Sequence, residues 1–389
     1  MKLRMMGCLT LLMLVGSLAD AQLMAQQADP CSDVTKSPSV NWPSNRHDPC
    51  NTGYNPDEHI LSVDNVRNLG LKWRFQTGRS IYGSPVVVNG IVYGPSGDEY
   101  LYALNAETGA LVWKYKTGGE GDSSPAVVDG VLYVGGGYGS NDVYALNAAT
   151  GSLIWKYTAG FYVVSSPSVV NGVVYFGSYD NNVYALDAKT GALIWKYATG
   201  DMVLSSPAVV NGVVYIGSWD SNLYALDATT GTPRWIYTTD SRIYAGPAVV
   251  NGVVYVGSDR YGTYAINANT GSLLWSYPTN TTVTTPAVAN GVVYLGTDYF
   301  GIYALDANTG ALVWQVRTGD VNYYSASVAN GVVFVASGNN TMYAFDAGTG
   351  QAKWSQILKF GSAPAVANGA VYVGSFGDSG IYAFSLPSQ

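Results

Sequence analysis

From about residue 83 onward the chain repeats short apolar runs and polar turns in one fixed order. In residues 207–239, PAVVNGVVYIGSWDSNLYALDATTGTPRWIYTT, four runs rich in Val, Leu, Ile, Tyr and Trp are interrupted three times. The breaks are Asn211-Gly212, the polar stretch around Asp220-Ser221-Asn222, and Thr230-Gly231. Short runs of this composition between turn formers read as strands, here A, B, C and D in order. Asn-Gly suits the two-residue turn of a hairpin, because both central positions need positive φ.

The unit recurs around eight tryptophans, Trp73, Trp113, Trp155, Trp195, Trp235, Trp275, Trp314 and Trp354, spaced 39 to 42 residues apart. A strand-rich period near 40 predicts a β-propeller with one four-stranded antiparallel sheet per repeat. Eight A–B–C units begin near residues 83, 123, 165, 205, 245, 284, 325 and 362, but the first D strand, 69–78, precedes them all. The last unit ends in IYAFSLPSQ with no D strand of its own. The N-terminal D strand is therefore expected to complete the last sheet and close an all-β, eight-bladed ring over 68–389. An open ring would leave one blade face uncovered.

The repeats serve as an internal control. Asp227 corresponds to Asn105, Asn147, Asp187, Asn267, Asp306 and Asp346. Free exchange of Asp and Asn marks a short side chain that holds turn N–H groups, and a catalytic carboxylate would not tolerate it. Strand B carries a tyrosine in seven blades and Phe334 in the other, while strand C carries one in all eight. These read as packing between blades. The unrepeated residues fall in the B–C and D–A connections, on the ring face opposite the regular Asn-Gly and Thr-Gly turns. The binding candidates there are Tyr82, Tyr162, Tyr179, Asp180, Trp219, Asp220, Arg242, Tyr244, Arg260, Tyr261, Tyr299, Tyr323 and Tyr324. Tyr138, Phe161, Asp259 and Asp298 lie in the same connections. Loops on a rigid scaffold commonly carry binding, and Tyr, Trp and Arg are typical anchors.

The segments 185–195, 225–235 and 304–314 share the form Ala-Leu-Asp-Ala-x-Thr-Gly-x-x-x-Trp. This resembles the tryptophan-docking motif of the pyrroloquinoline-quinone-like (PQQ-like) propeller family, over about residues 68–385. The leader WPSNRHDPCNTGYNP, 42–56, is similar to the segment before such propellers. The resemblance implies an eight-bladed ring with each motif tryptophan docked between blades. It also implies two kinds of relative: quinone-dependent alcohol dehydrogenases, and non-catalytic propellers such as the outer-membrane assembly lipoprotein and the sensor domains of some kinases.

Composition narrows the choice. The 389 residues carry a net charge of -7 and only 12% charged residues, which lacks the basic footprint of a nucleic-acid binder. Residues 1–21 have a basic start, a short apolar stretch and small residues at Ala19 and Ala21, the layout of a secretory signal peptide. The apolar stretch is too short for a membrane span, and Cys8 lies too early to be a lipidation site. A periplasmic or secreted protein is expected, with 22–67 as a lead-in. In an oxidising compartment Cys31 and Cys50 most simply form a disulfide.

No nucleophile triad, paired carboxylates, phosphate loop or metal cluster stands out. The dehydrogenases of the family hold PQQ beside a vicinal cysteine pair, with Ca²⁺ bound by carboxylate and amide oxygens. This propeller contains no cysteine. The expectation is an exported, monomeric, non-catalytic binding or scaffold protein without a cofactor or metal. Its variable face would take a protein partner or a small ligand. A PQQ- and Ca²⁺-dependent alcohol dehydrogenase is the alternative, and a carbohydrate-binding propeller a third reading.

Overall fold

The computed structural model describes residues 41–298, 300–318, 325–359 and 361–387. Its sheets are eight blades of four antiparallel strands, in the order A-B-C-D from the axis outward. In the fourth blade these are Ala208–Val210, Val213–Gly217, Asn222–Asp227 and Pro233–Thr238. The Asn-Gly turns have the expected backbone: Asn211 lies at φ 50° and Gly212 at 72°. In the last blade Gly70–Gln76 pairs antiparallel with Gly380–Ser385, Trp73 opposite Ala383, so the N-terminal strand closes the ring as the count requires.

Adjacent blades are joined at one backbone carbonyl. The Trp195 indole N–H donates to Ala228 O of the next blade at 2.9 Å, and the Tyr175 hydroxyl donates to the same oxygen at 3.1 Å. The indole ring lies over Gly231, where a Cβ would stand 2.7 Å from ring carbons, and Gly231 has φ 73°. Glycine is needed there twice, for the turn and for the ring. The same pairing recurs from Trp73 and Tyr372 on Ala106 through Trp314 and Tyr294 on Ala347. At the closure no C–D turn exists, and Trp354 donates to Leu69 O at the start of the N-terminal strand instead. The Asx reading also holds: Asp227 Oδ1 accepts the N–H groups of Thr229 and Thr230.

The lead-in has a role that spacing did not disclose. The inner strands ring the axis, and residues 42–55 run inside them. Carbonyls of Trp42, Pro43, Pro49, Cys50, Thr52 and Gly53 accept the N–H groups of Val87, Val127, Val209, Val249, Val288 and Val328. Tyr54–Asn55 then pairs parallel with Ser327–Ala329. Inner edges that face the axis would otherwise leave buried donors unmet. The segment continues across the regular-turn side, where Glu58 accepts Gly369 N–H and Asn330 donates to Leu61 O. Cys50 is buried in this plug, while Cys31 and residues 1–21 lie outside the described residues.

Two predictions test this packing. Trp195→Phe keeps an aromatic ring but removes one donor from a buried carbonyl, and is expected to cost about 1–3 kcal/mol in urea unfolding; an unchanged midpoint would contradict the docking role. Burial pushes Tyr175, Tyr215, Tyr255 and Tyr294 up to about 12. The folded state thus keeps protons that the unfolded chain releases above about pH 10. Stability is expected to be flat with respect to these groups below that pH and to fall as pH rises from 10 towards 12, read as melting temperature against pH.

Candidate binding face

One repeated position builds the centre of the variable face in blades 3 to 6. It directly follows the Ser or Thr that ends strand B, and its backbone N–H is tied to the incoming D–A connection. Tyr179 N–H donates to Tyr162 O, Trp219 to Met202 O, Asp259 to Arg242 O and Asp298 to Thr282 O. The backbone is held alike in these four blades, while the side chain changes from aromatic in blades 3 and 4 to acidic in blades 5 and 6.

The aromatic sector is continuous. Tyr138 packs on Tyr162 at 4.8 Å between centroids, and Tyr162 stacks on Phe161 at 4.1 Å and 18°. Tyr179 bridges Tyr162 at 6.1 Å to Trp219 at 6.5 Å, and Trp219 meets Tyr244 edge-on at 4.8 Å. The Arg242 guanidinium lies 4.8 Å over the Trp219 ring, a cation–π contact. Tyr138 and Phe161 are 50% and 43% exposed, so the belt's outer end is open to a partner.

The acidic sector borders it. A depression of about 370 Å³ is lined by Tyr244, Asp259, Thr282, Thr284, Thr285, Asp298 and Ser325. Thr282 donates to Asp259 Oδ1 at 3.0 Å. Burial, reinforced by the neighbouring Asp259 charge, holds the Asp298 carboxyl above its ordinary range. Asp122, at the aromatic end, is raised in the same way by burial.

Other candidates are placed differently. Asp220 accepts Gly200 N–H at 2.7 Å, Asn222 N–H at 2.9 Å and the Tyr224 hydroxyl at 2.5 Å. Asp180 makes the equivalent bonds to Gly160, Asn182 and Tyr184. Both carboxylates fasten B–C turns to D–A connections. Asp98 does the same in blade 1 with Gly78 and Tyr102. The repeat comparison could have found this, since a tyrosine follows each of these aspartates by four positions. Tyr261 stacks on the strand-C Tyr264 at 5.7 Å. Tyr82 pairs with Phe376 at 5.1 Å, away from the main belt. Arg260 is exposed, and Tyr299, Tyr323 and Tyr324 lie outside the described residues.

Sequence reasoning missed the floor of this face. Repeated Ser-Ser-Pro starts to strand A link the blades around the axis: Ser123 donates to Ser165 O, Ser165 to Ser205 O and Ser205 to Ala245 O, at 2.9–3.0 Å. The signal was present at 123–125, 165–167 and 205–207.

A family profile described as outer membrane protein assembly factor BamB matches in overlapping stretches from 57 to 386. The chain belongs to this PQQ-like propeller family. Among solved structures it is similar to BamB from Moraxella catarrhalis, at 19% identity and TM-score 0.70, over 82% of this chain and 98% of that one. It is also similar to the quinohemoprotein alcohol dehydrogenase ADHIIG of Pseudomonas putida HK5, at 19% and 0.77, over 90% and 81%. A third likeness is to the computationally designed Ika8 protein, at 16% and 0.72, over 80% and 97%. At these identities the likeness shows the fold alone. No curated protein matches.

The dehydrogenase relatives raise the question of a PQQ–Ca²⁺ seat. No cluster of three or more His, Cys, Asp or Glu side chains is placed to hold a metal among the described residues. The two central carboxylates face each other and a threonine, and the motif tryptophans are all committed to blade interfaces.

Asp220→Ala is expected to lower stability by about 2 kcal/mol, through loss of charge-assisted bonds, whereas Arg242→Ala should change it by less than about 1 kcal/mol. Urea titration of both variants checks the division between fastening and display. Equal midpoints would show that Asp220 is not a fastener.

Proposed function

We propose that the chain is an exported, non-catalytic binding or scaffold protein that engages a protein partner through the variable face. The single observation carrying this reading is the unbroken aromatic belt from Tyr138 to Tyr244, open at Tyr138 and Phe161 and bordered by Arg242. Apolar side chains grouped on one face of an otherwise polar loop layer mark interaction sites, and rigid Tyr and Trp lose little entropy on binding. The opposite face is occupied by regular turns and by the lead-in. Export is supported by the signal-like 1–21, and the Cys31–Cys50 disulfide belongs to the same proposal. Among the described residues no helix is long and apolar enough to cross a membrane. The family name points to envelope proteins as the partner class.

A carbohydrate ligand is the second reading, favoured by the carboxylates and hydroxyls of the depression beside Tyr244. A photo-crosslinking residue at position 138 or 161 is expected to capture a discrete envelope protein in the source cell, and one at Leu193 on the outer rim is not. Tyr138→Ala combined with Phe161→Ala should weaken that complex at least tenfold while leaving the melting temperature within about 2 °C. Capture unaffected by the double substitution would reject the face, and binding to glycans but not proteins would favour the second reading.

A further inference from the structure

The axial plug contains a buried cation with no carboxylate in direct contact among the described residues. Arg46 is 1% exposed, and its only hydrogen bond is a long one, from Nη2–H to Pro286 O at 3.4 Å. Its Nε and Nη1 have no acceptor, and neither does the Oγ of Ser44 in the same turn of chain. Asp48 acts on Arg46 through its charge alone, since its oxygens accept Cys50 N–H, Thr52 N–H and the Thr52 hydroxyl. No carboxylate pairs with Arg46 among the described residues. Burial lowers its pKa to about 10, so it is still charged at neutral pH. The chain is shaped around this side chain: at Gly53, with φ 63°, a Cβ would stand 2.1 Å from Nη2. A buried charge with two idle donors is costly unless something of opposite charge meets it.

We propose that the Nε–H and Nη1–H edge of Arg46 holds a small inorganic anion of halide size inside the propeller channel. The anion would neutralise the guanidinium and fasten the lead-in to the inner strands of blade 6. Its charge distinguishes it from water, which would satisfy the donors but leave burial of the cation offset only by the charge of Asp48. Its small size suits a side chain that is only 1% exposed. The site lies in the plug, away from the variable face, and does not depend on the reading given to that face.

The test uses the full chain crystallised in bromide. An anomalous peak within hydrogen-bonding distance of Arg46 Nε and Nη1 is expected. At fixed ionic strength, exchanging gluconate for chloride should raise the melting temperature of the wild type by on the order of 2 °C, and Arg46→Gln should abolish the rise. Water alone at the guanidinium, bromide only at surface cations, or an equal chloride response in both proteins would overturn the proposal. Should Arg46→Gln fail to fold, the wild-type bromide map decides alone.

Discussion

The ring rests on a shared acceptor. One alanine carbonyl in each C–D turn receives the indole N–H and the strand-B phenol of the blade before it, as Ala228 does from Trp195 and Tyr175. These two donors come from the outermost strand and from the second strand of one sheet. A single oxygen therefore fixes both the distance and the tilt between neighbouring blades. The indole must also lie flat on a residue without Cβ, which couples the tryptophan to the glycine three residues after the acceptor alanine. Each hydrogen bond contributes only about 1 kcal/mol net, but the interlock repeats around the ring and every blade depends on the next.

This interlock divides the two faces. The turns that bear the acceptor carbonyl and the glycine cannot vary without loosening a blade, so the face that carries them is regular. Constraint on the other face stops at the backbone. There the residue after the strand-B Ser or Thr has its N–H fixed and its side chain free, and it has become Tyr179, Trp219, Asp259 and Asp298 in successive blades. A rigid frame that leaves this side chain variable in blades 3 to 6 places an aromatic sector beside an acidic one without any insertion.

Repetition made much of this legible. The tryptophan period, the Asp/Asn exchange at position 227 and the missing last D strand lead to an eight-bladed closed ring because each reports contacts within a blade or to its neighbour. At Asp220 the repeat carries a second kind of contact. The residue lies in a loop that varies, but its identity is set by a phenol four residues on, Tyr224, and a glycine N–H twenty residues back, Gly200. The strand-C tyrosine therefore packs between blades with its ring and fastens the loop with its hydroxyl. Trp219, one residue earlier, is where the variation is displayed.

The sequence alone determined the strand order, the blade number, the closure and the face on which variation is tolerated, since these follow from period and turn chemistry. Only the tertiary structure decided where the lead-in goes and what it meets. Its carbonyls pair with inner strands from Val87 to Val328, contacts made once each and at ever-changing separation, which leave no period to read. The continuity of the aromatic belt was likewise decided in three dimensions. Tyr138, Tyr162, Tyr179, Trp219 and Tyr244 come from different connections, and the curvature of the closed ring brings their rings into contact.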